Sequence, residues 1–369
     1  MNDRETPNSN HMRLKSPLTP ALLKHLKLTP KTTAEHLALE ALITGTPIWL
    51  GPDLTNSHHY EYAAIRPKFC EQVLTPIFDK RNENQDIKAL YEWTNKKGPF
   101  TPRELQLIEK TIRITTTEGF ASQMRPELNQ AHTHIRAEFL SDLVLIKQLT
   151  PNPEEEETPI KGIQISGATI TGHLNLSNSR NCRPLTLNYC QFEKPLNLNH
   201  AQLSHLDLSG SLCPGLSCNG AVIHGETHLQ NGFEAKGTVD FVNSKLYGTF
   251  NASGGSFLSS GIGIENNALS LQLSHVNNSI ILSDGFKSDG IVNLHGTQCD
   301  LNLFCQGAYM INQQQDQMGC ALLCDNTTIK GNVDLGGKFS AIGGIWFRGT
   351  TIGGNIEAEQ ASFHYFASA

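Results

Sequence analysis

From residue 162 onward the chain keeps returning to one short pattern, two apolar residues flanking a polar one. These triplets begin at Ile163, Leu174, Leu185, Leu196, Leu206 and Leu216, at nearly equal spacing, with a briefer apolar signal between them in GATI, NYCQF, HAQL and GAVI. Alternation with a period of two is the pattern of a strand, and the intervening Gly, Asn and Ser are turn formers. Each unit therefore predicts two short strands, and two units, about 22 residues, predict one coil of a parallel β-solenoid. A single coil cannot bury its own inner face; a stack with strands about 4.8 Å apart does so collectively. The middle residues Gln164, Asn175, Thr186, Asn197, Asp207 and Ser217 are expected to point outward, where stacked asparagines can form ladders.

A longer period appears further on. The segments 227–241, 280–294 and 333–347 align at offsets of 53, superposing Leu229, Leu282 and Leu335, then Phe233, Phe286 and Phe339, then Gly237, Gly290 and Gly343. The three phenylalanines are expected in one inward column. This offset exceeds two coils by roughly half a coil, and FLSSGIGIENN (257–267) and YMINQQQDQMG (309–319) supply the excess. Insertions in a repeat array map to one face, so both loops are expected on the same side, two coils apart.

Residues 1–149 read as an α-helical domain. Ile135, Phe139, Leu140, Leu143 and Val144 share one helical face, and Ile65, Phe69, Cys70, Val73 and Leu74 repeat the spacing. Each set follows a second helical pattern, with Leu37 and Leu39 in one and Leu105 and Leu107 in the other. This suggests a duplicated helix-loop-helix unit over about 33–76 and 101–147, and Thr101 with Glu104 suggests a capping box. A Pro/Glu linker is placed at 150–161, before the solenoid at 162–369. The helical part is expected to cover the open N-terminal edge of the stack, because unpaired strand edges self-associate.

Composition narrows the partners. A formal net charge of -6 with scattered Lys and Arg gives no footprint for nucleic acid. No apolar run is long enough to span a bilayer, and the polar N-terminus lacks a signal-peptide core, which points to the cytoplasm of the producing cell, with export by a specialised secretion system as the other route. Nine cysteines without a C-x-x-C argue for reduced thiols.

KGIQISGATITGHLNL, RPLTLNYCQFEKPLNLNHAQLSHLDLSGSLCPGL, FTPRELQLIEK and HIRAEFLSDLVL resemble a bacterial family of pentapeptide-repeat-like β-solenoid proteins over roughly residues 100–369. Members are often labelled membrane-associated oxidoreductases. The resemblance implies a helical part followed by a solenoid and carries no catalytic residue set. SGIGIENN departs from the dinucleotide-binding G-x-G-x-x-G at Asn266.

Candidate chemistry is thin. Cys299, Cys305, Cys320 and Cys324 near His295 lack zinc-finger spacing and read as small inward residues, as do Cys182, Cys190, Cys213 and Cys218. The His pairs in HHYEY (58–62) and HTH (132–134) lie at matching places of the duplicated unit. Asp284, Asp289, Asp300, Asp325 and Asp334 are the carboxylates a polysaccharide-cleaving β-helix enzyme would draw on. No cofactor, metal or catalytic residue is assigned. The expectation is a non-enzymatic interaction or scaffold protein with a protein partner, in which Phe257, Ile262, Ile264, Tyr309, Met310, Gln313 and Gln314 form the recognition surface and the solenoid ends offer a route to self-association. The alternatives are a carbohydrate-active lyase or hydrolase and a secreted effector that binds a host protein.

Overall fold

A computed structural model describes residues 20–44, 47–50, 133–146, 162–180, 182–259, 266–312 and 319–364, with single positions between 92 and 126. The chain winds as a mainly β, four-sided parallel solenoid. Successive coils add one strand to each of four all-parallel sheets, with ten strands on the first and second faces and seven on the third and fourth among the described residues. The triplets beginning at Ile163, Leu185 and Leu206 lie on the first face, and Leu196 and Leu216 on the third. Their flanking residues are buried and their middle residues are partly or fully exposed, as alternation requires.

Some Asn side chains bond from coil to coil, with Asn302 and Asn332 Oδ1 accepting from the N–H groups of Asn332 and Asn355 and Asn199 Oδ1 from that of Asn219, while other Asn and Asp side chains serve their own turns. Asn175, Asn197, Asp207, Asn251, Asn293 and Asp334 each accept a hydrogen bond from the backbone N–H two residues on. This is the local bond that Asn and Asp make in tight turns, and it is made within a single coil.

The long period has a structural basis. Glu234, Ser256 and Lys287 pair in successive coils, as do Lys287, Tyr309 and Ser340. A short coil, Glu234 to Ser256 and again Lys287 to Tyr309, therefore alternates with a longer one, Ser256 to Lys287 and again Tyr309 to Ser340. The core alternates in step. Phe233, Gly255, Phe286, Ala308, Phe339 and Ala361 occupy one corner position, each donating its N–H to the carbonyl three residues back. Two residues further on, the inward column of the second face reads Ala235, Phe257, Ser288, Met310, Ala341 and Phe363. Each of these six coils supplies one large side chain to this layer, from the corner in one coil and from the strand in the next, whereas the preceding coil has Ser211 and Cys213 at the two positions. The rings of Phe233 and Phe257 lie 5.4 Å apart and those of Phe257 and Phe286 5.1 Å apart. Phe233, Phe286 and Phe339 are thus buried in one column as expected, interleaved with a second column that the long sequence period alone does not reveal.

The first coils are extended by strands from the helical segment. β1 (Ile48–Trp49) pairs with β3 (Ile163–Ser166), and β2 (His134–Arg136) pairs with β4 (Thr169–Thr171). Helix α1 covers Pro20–Leu26, α2 Thr33–Thr44 and α3 Ala137–Leu145. The helix expected from Ile135 therefore starts two residues later: Ile135 is β-branched and stands opposite Ile170, where strand pairing buries it completely. Phe139, Leu140, Leu143 and Val144 form the buried helical face, and one apolar core runs from Leu28 in the helical segment to Ala341 in the coils. The Ile65, Phe69, Cys70, Val73 and Leu74 helix of the first copy of the duplicated unit, Leu105 and Leu107 of the second, the Thr101 capping box and the 150–161 linker lie outside the described residues.

Polar clamps hold the helical segment in place. Thr32 caps α2 by accepting from the Glu35 N–H, and its hydroxyl donates to the His134 carbonyl of β2 at 2.7 Å. Glu35, buried, accepts from Arg136 Nε at 2.8 Å and Nη2 at 2.9 Å. Burial raises the Glu35 carboxyl, but the bonds from Arg136 and from the Lys31 and Arg136 N–H groups outweigh it and leave the group below its ordinary range. Further along the flank, the guanidinium of Arg125 donates to the carbonyls of Gly210 and Gly232 and to Glu234. On the last described strands of the first and second faces, Ile356 and Phe363 are 55% and 53% exposed.

Phe286→Ala removes a ring between Phe257 and the coil that follows, and a loss of about 3–5 kcal/mol is expected in a denaturant titration. Glu35→Gln is expected to cost about 2 kcal/mol at pH 7. Because the folded-state pKa is depressed, the stabilisation is present above the unfolded value of about 4.5 and is lost as pH falls through the lower folded value. Melting curves of the two proteins should therefore converge in acid.

Candidate interaction site

Both long departures from the coil leave from the same corner, between the second and third faces. One follows Leu258 and returns at Asn267; the other follows Ile311 and returns at Cys320. They are two coils apart, with one plain coil between. In that coil a single glycine, Gly290, makes the turn at φ +121°, and a Cβ there would stand 2.6 Å from the Asn266 carbonyl oxygen. Gly343 repeats the turn at φ +127° in the coil after the second loop. No side chain fits between the roots of the two loops, which is why the glycine recurs with the long period.

The loop roots are joined by buried side chains. Asn266 and Asn312 are both nearly inaccessible. The Ser259 hydroxyl donates to Asn266 Oδ1, Asn266 Nδ2 donates to Asn312 Oδ1 at 3.4 Å, and Asn312 Nδ2 donates to the Cys320 carbonyl at 2.9 Å. Backbone bonds run beside this relay, from Ile291 N–H to the Asn266 carbonyl and from Gly290 N–H to the Ile311 carbonyl, each 2.7 Å. A buried relay whose amides are paired gives the loops rooted ends of defined spacing.

The residues expected to make the recognition surface divide by strand parity. Phe257 and Met310 are fully buried, the large members of their coils in the ring layer, and so are anchors beneath the loops and not contacts. Their neighbours face out: Leu258 is 38% and Tyr309 39% exposed, and Ile311 is partly exposed. Leu258, Asp289, Ile311 and Ile342 are cross-strand partners in successive coils, so an apolar strip interrupted by one carboxylate runs along the loop corner. Ile262, Ile264, Gln313 and Gln314 lie outside the described residues. Strand alternation would have found Leu258 and Ile311, since Phe257 and Met310 continue the register of Ala235.

The remaining chemistry is dispersed. Asp284 lies at the corner between the first and second faces, Asp289 on the second face, Asp300 just after the fourth-face strand Gln298–Cys299, Asp325 just after the third-face strand Cys320–Leu323, and Asp334 on the first face. Asp300 is held below the carboxylate range chiefly by its bond from Lys330 Nζ at 2.7 Å, with His275 on its other oxygen. For Asp325, burial works the other way, but the bonds from Arg348 prevail and hold it low. These two carboxylates stay ionised at neutral pH and do not suit a general acid. The eight described cysteines are buried and free. Burial pushes the thiols of Cys190 and Cys213 to about 12 and that of Cys299 to about 11, so they are inert core residues. His58 and His59 lie outside the described residues, and His134 is in β2. Among the described residues one group of three metal-type ligands converges, His205, Asp207 and His228, on the outside of the first face. A whole coil separates Asp207 from His228 along the chain, and linear spacing motifs do not capture such a pair.

No family model matches the chain, and no curated protein or solved structure matches it. Among the described residues no helix is long and apolar enough to cross a membrane.

Asn312→Ala would leave the Cys320 carbonyl and the Asn266 amide without their partner. A loss of about 1–3 kcal/mol is expected in a denaturant titration, far more than for an exposed asparagine with ordinary backbone angles such as Asn277.

Proposed function

We propose that the chain is a non-enzymatic interaction protein, in which a rigid β-solenoid presents one corner to a protein partner, either inside the producing cell or after export as an effector. The observation that carries this reading is the pair of loops at one corner, two coils apart, with roots fixed by Asn266 and Asn312 and bordered by outward Leu258, Tyr309 and Ile311. A rigid scaffold lowers the ordering cost of such loops on binding, and an apolar strip beside polar groups is the composition of a protein contact. The four-sided coil favours kinship with pentapeptide-repeat-like solenoids over any oxidoreductase chemistry. The exposed Ile356 and Phe363 give end-on self-association a physical basis.

A carbohydrate-active enzyme is the weaker reading. Cleavage by acid and base needs two carboxylates flanking one bond, roughly 5 to 9.5 Å apart. Asp284, Asp289, Asp300, Asp325 and Asp334 sit on different faces and corners of the stack, and Asp300 and Asp325 are tied up in ion pairs.

Replacing 260–265 and 313–318 by Gly-Ser turns tests the proposal. The circular dichroism spectrum and the melting temperature should stay close to wild type, while partners recovered by crosslinking and affinity purification from the native setting are lost. Tyr309→Ala with Leu258→Ser should weaken the same capture without unfolding the chain. Undiminished capture by both folded variants would place the contact elsewhere.

A further inference from the structure

The cluster of His205, Asp207 and His228 is not absorbed by the interaction surface, which lies at a different corner. Asp207 and His228 are directly opposed in adjacent strands of the first face, and His205 enters from the corner just before Asp207. One ligand atom from each lies within 4.8 Å of the other two. The backbone beneath them is held by the bond from Leu206 N–H to the Glu226 carbonyl and the bond from Leu208 N–H to the His228 carbonyl.

The cluster does not satisfy itself. Asp207 Oδ2 and His228 Nδ1 are 4.0 Å apart, too far for a hydrogen bond. The two imidazoles meet edge to face with centroids 5.4 Å apart, and neither ring has a hydrogen-bond partner among the described residues. Asp207, in contrast, is oriented from behind. Its Oδ1 accepts from the Ser209 N–H at 2.9 Å and from the Ser209 hydroxyl at 2.6 Å, and its Oδ2 accepts from Asn188 Nδ2 at 3.3 Å. The other end of that amide, Asn188 Oδ1, is buried without a hydrogen-bond partner. Two imidazoles without hydrogen-bond partners among the described residues thus face a carboxylate that is held in place from behind.

We propose that His205, Asp207 and His228 form a binding site for a divalent transition-metal ion of the zinc type on the outer face of the solenoid. Two imidazoles and one carboxylate are the donor set of three-ligand zinc sites, which leave the fourth position to water or to a further ligand. Ligands bound at about 2.0–2.1 Å in a tetrahedron stand about 3.4 Å from one another, so the side chains close inward by about an ångström on binding, within reach of small rotamer changes. Ser209 acts as a positioning residue, since hydrogen bonds to a ligating carboxylate hold it in place. The ion would join two adjacent coils from outside, opposite the core that joins them from within.

The test uses the full chain stripped with a chelator, then titrated with Zn2+ by calorimetry and with Co2+ by visible absorption. Wild type should take up Zn2+ at this site, with a rise in melting temperature and a tetrahedral Co2+ spectrum. His228→Ala and His205→Ala should each weaken this uptake by at least about 100-fold, and Ser209→Ala by about 10-fold, with circular dichroism unchanged. Since other histidines in the chain can bind metal, the readout is the difference between wild type and variants. Equal Zn2+ affinity in wild type and His228→Ala, absence of Zn2+ uptake by wild type, or Ca2+ binding as tight as Zn2+ would each overturn the proposal.

Discussion

The hydrogen-bonded register between one coil and the next is the constraint on which the rest of the structure depends. Among the described residues every strand is parallel to its neighbours, and from β3 onward a residue's partner lies one full coil away in sequence. In such a stack an inward residue rests on inward residues above and below, so the chain has no freedom to exchange faces without losing a whole column of contacts. The helical segment obeys the same rule: β1 and β2 enter it as additional strands, and α2 and α3 pack on the core that those strands extend.

From that register follows the alternation of volume. Phe257 has Ala235 on one side and Ser288 on the other, and Phe286 lies between Gly255 and Ala308. Interiors are packed to the density of organic crystals, and from Phe233 onward one large side chain per coil, supplied alternately from two positions, fills the layer. Two of the coils that supply the large side chain from the strand, those of Phe257 and Met310, are the ones that go on to the loops. Phe257 stands two residues before Ser259 and Met310 two before Asn312. Core packing and loop placement thus share one period of two coils, and Gly290 and Gly343 occupy the turns between.

Much of this was legible in the sequence, because period-two alternation and repeated turn residues report directly on strands and corners. The triplets marked the first and third faces, and the long period marked the phenylalanine column and the shared side of the loops. What escaped was information carried between coils. Phe257 and Met310 looked like loop residues because they adjoin the insertions, and only their pairing with Ala235 and Ser288 shows them to be core. Ile135 fits a helical face and a strand equally well until β4 is beside it. The ligand cluster spans two coils, so its members are neighbours only after the register is known.

The most direct measurement of this account is a double-mutant cycle in the coil of Ala308 and Met310, read as unfolding free energy in denaturant. Ala308→Phe alone overfills the corner and Met310→Ala alone empties the strand position, so each should destabilise the protein by about 1–4 kcal/mol. If one large side chain per coil is the requirement, the double variant restores a large side chain to the same layer from the corner position and should be more stable than the sum of the two changes by at least about 1 kcal/mol. Strict additivity of the two losses would contradict the account.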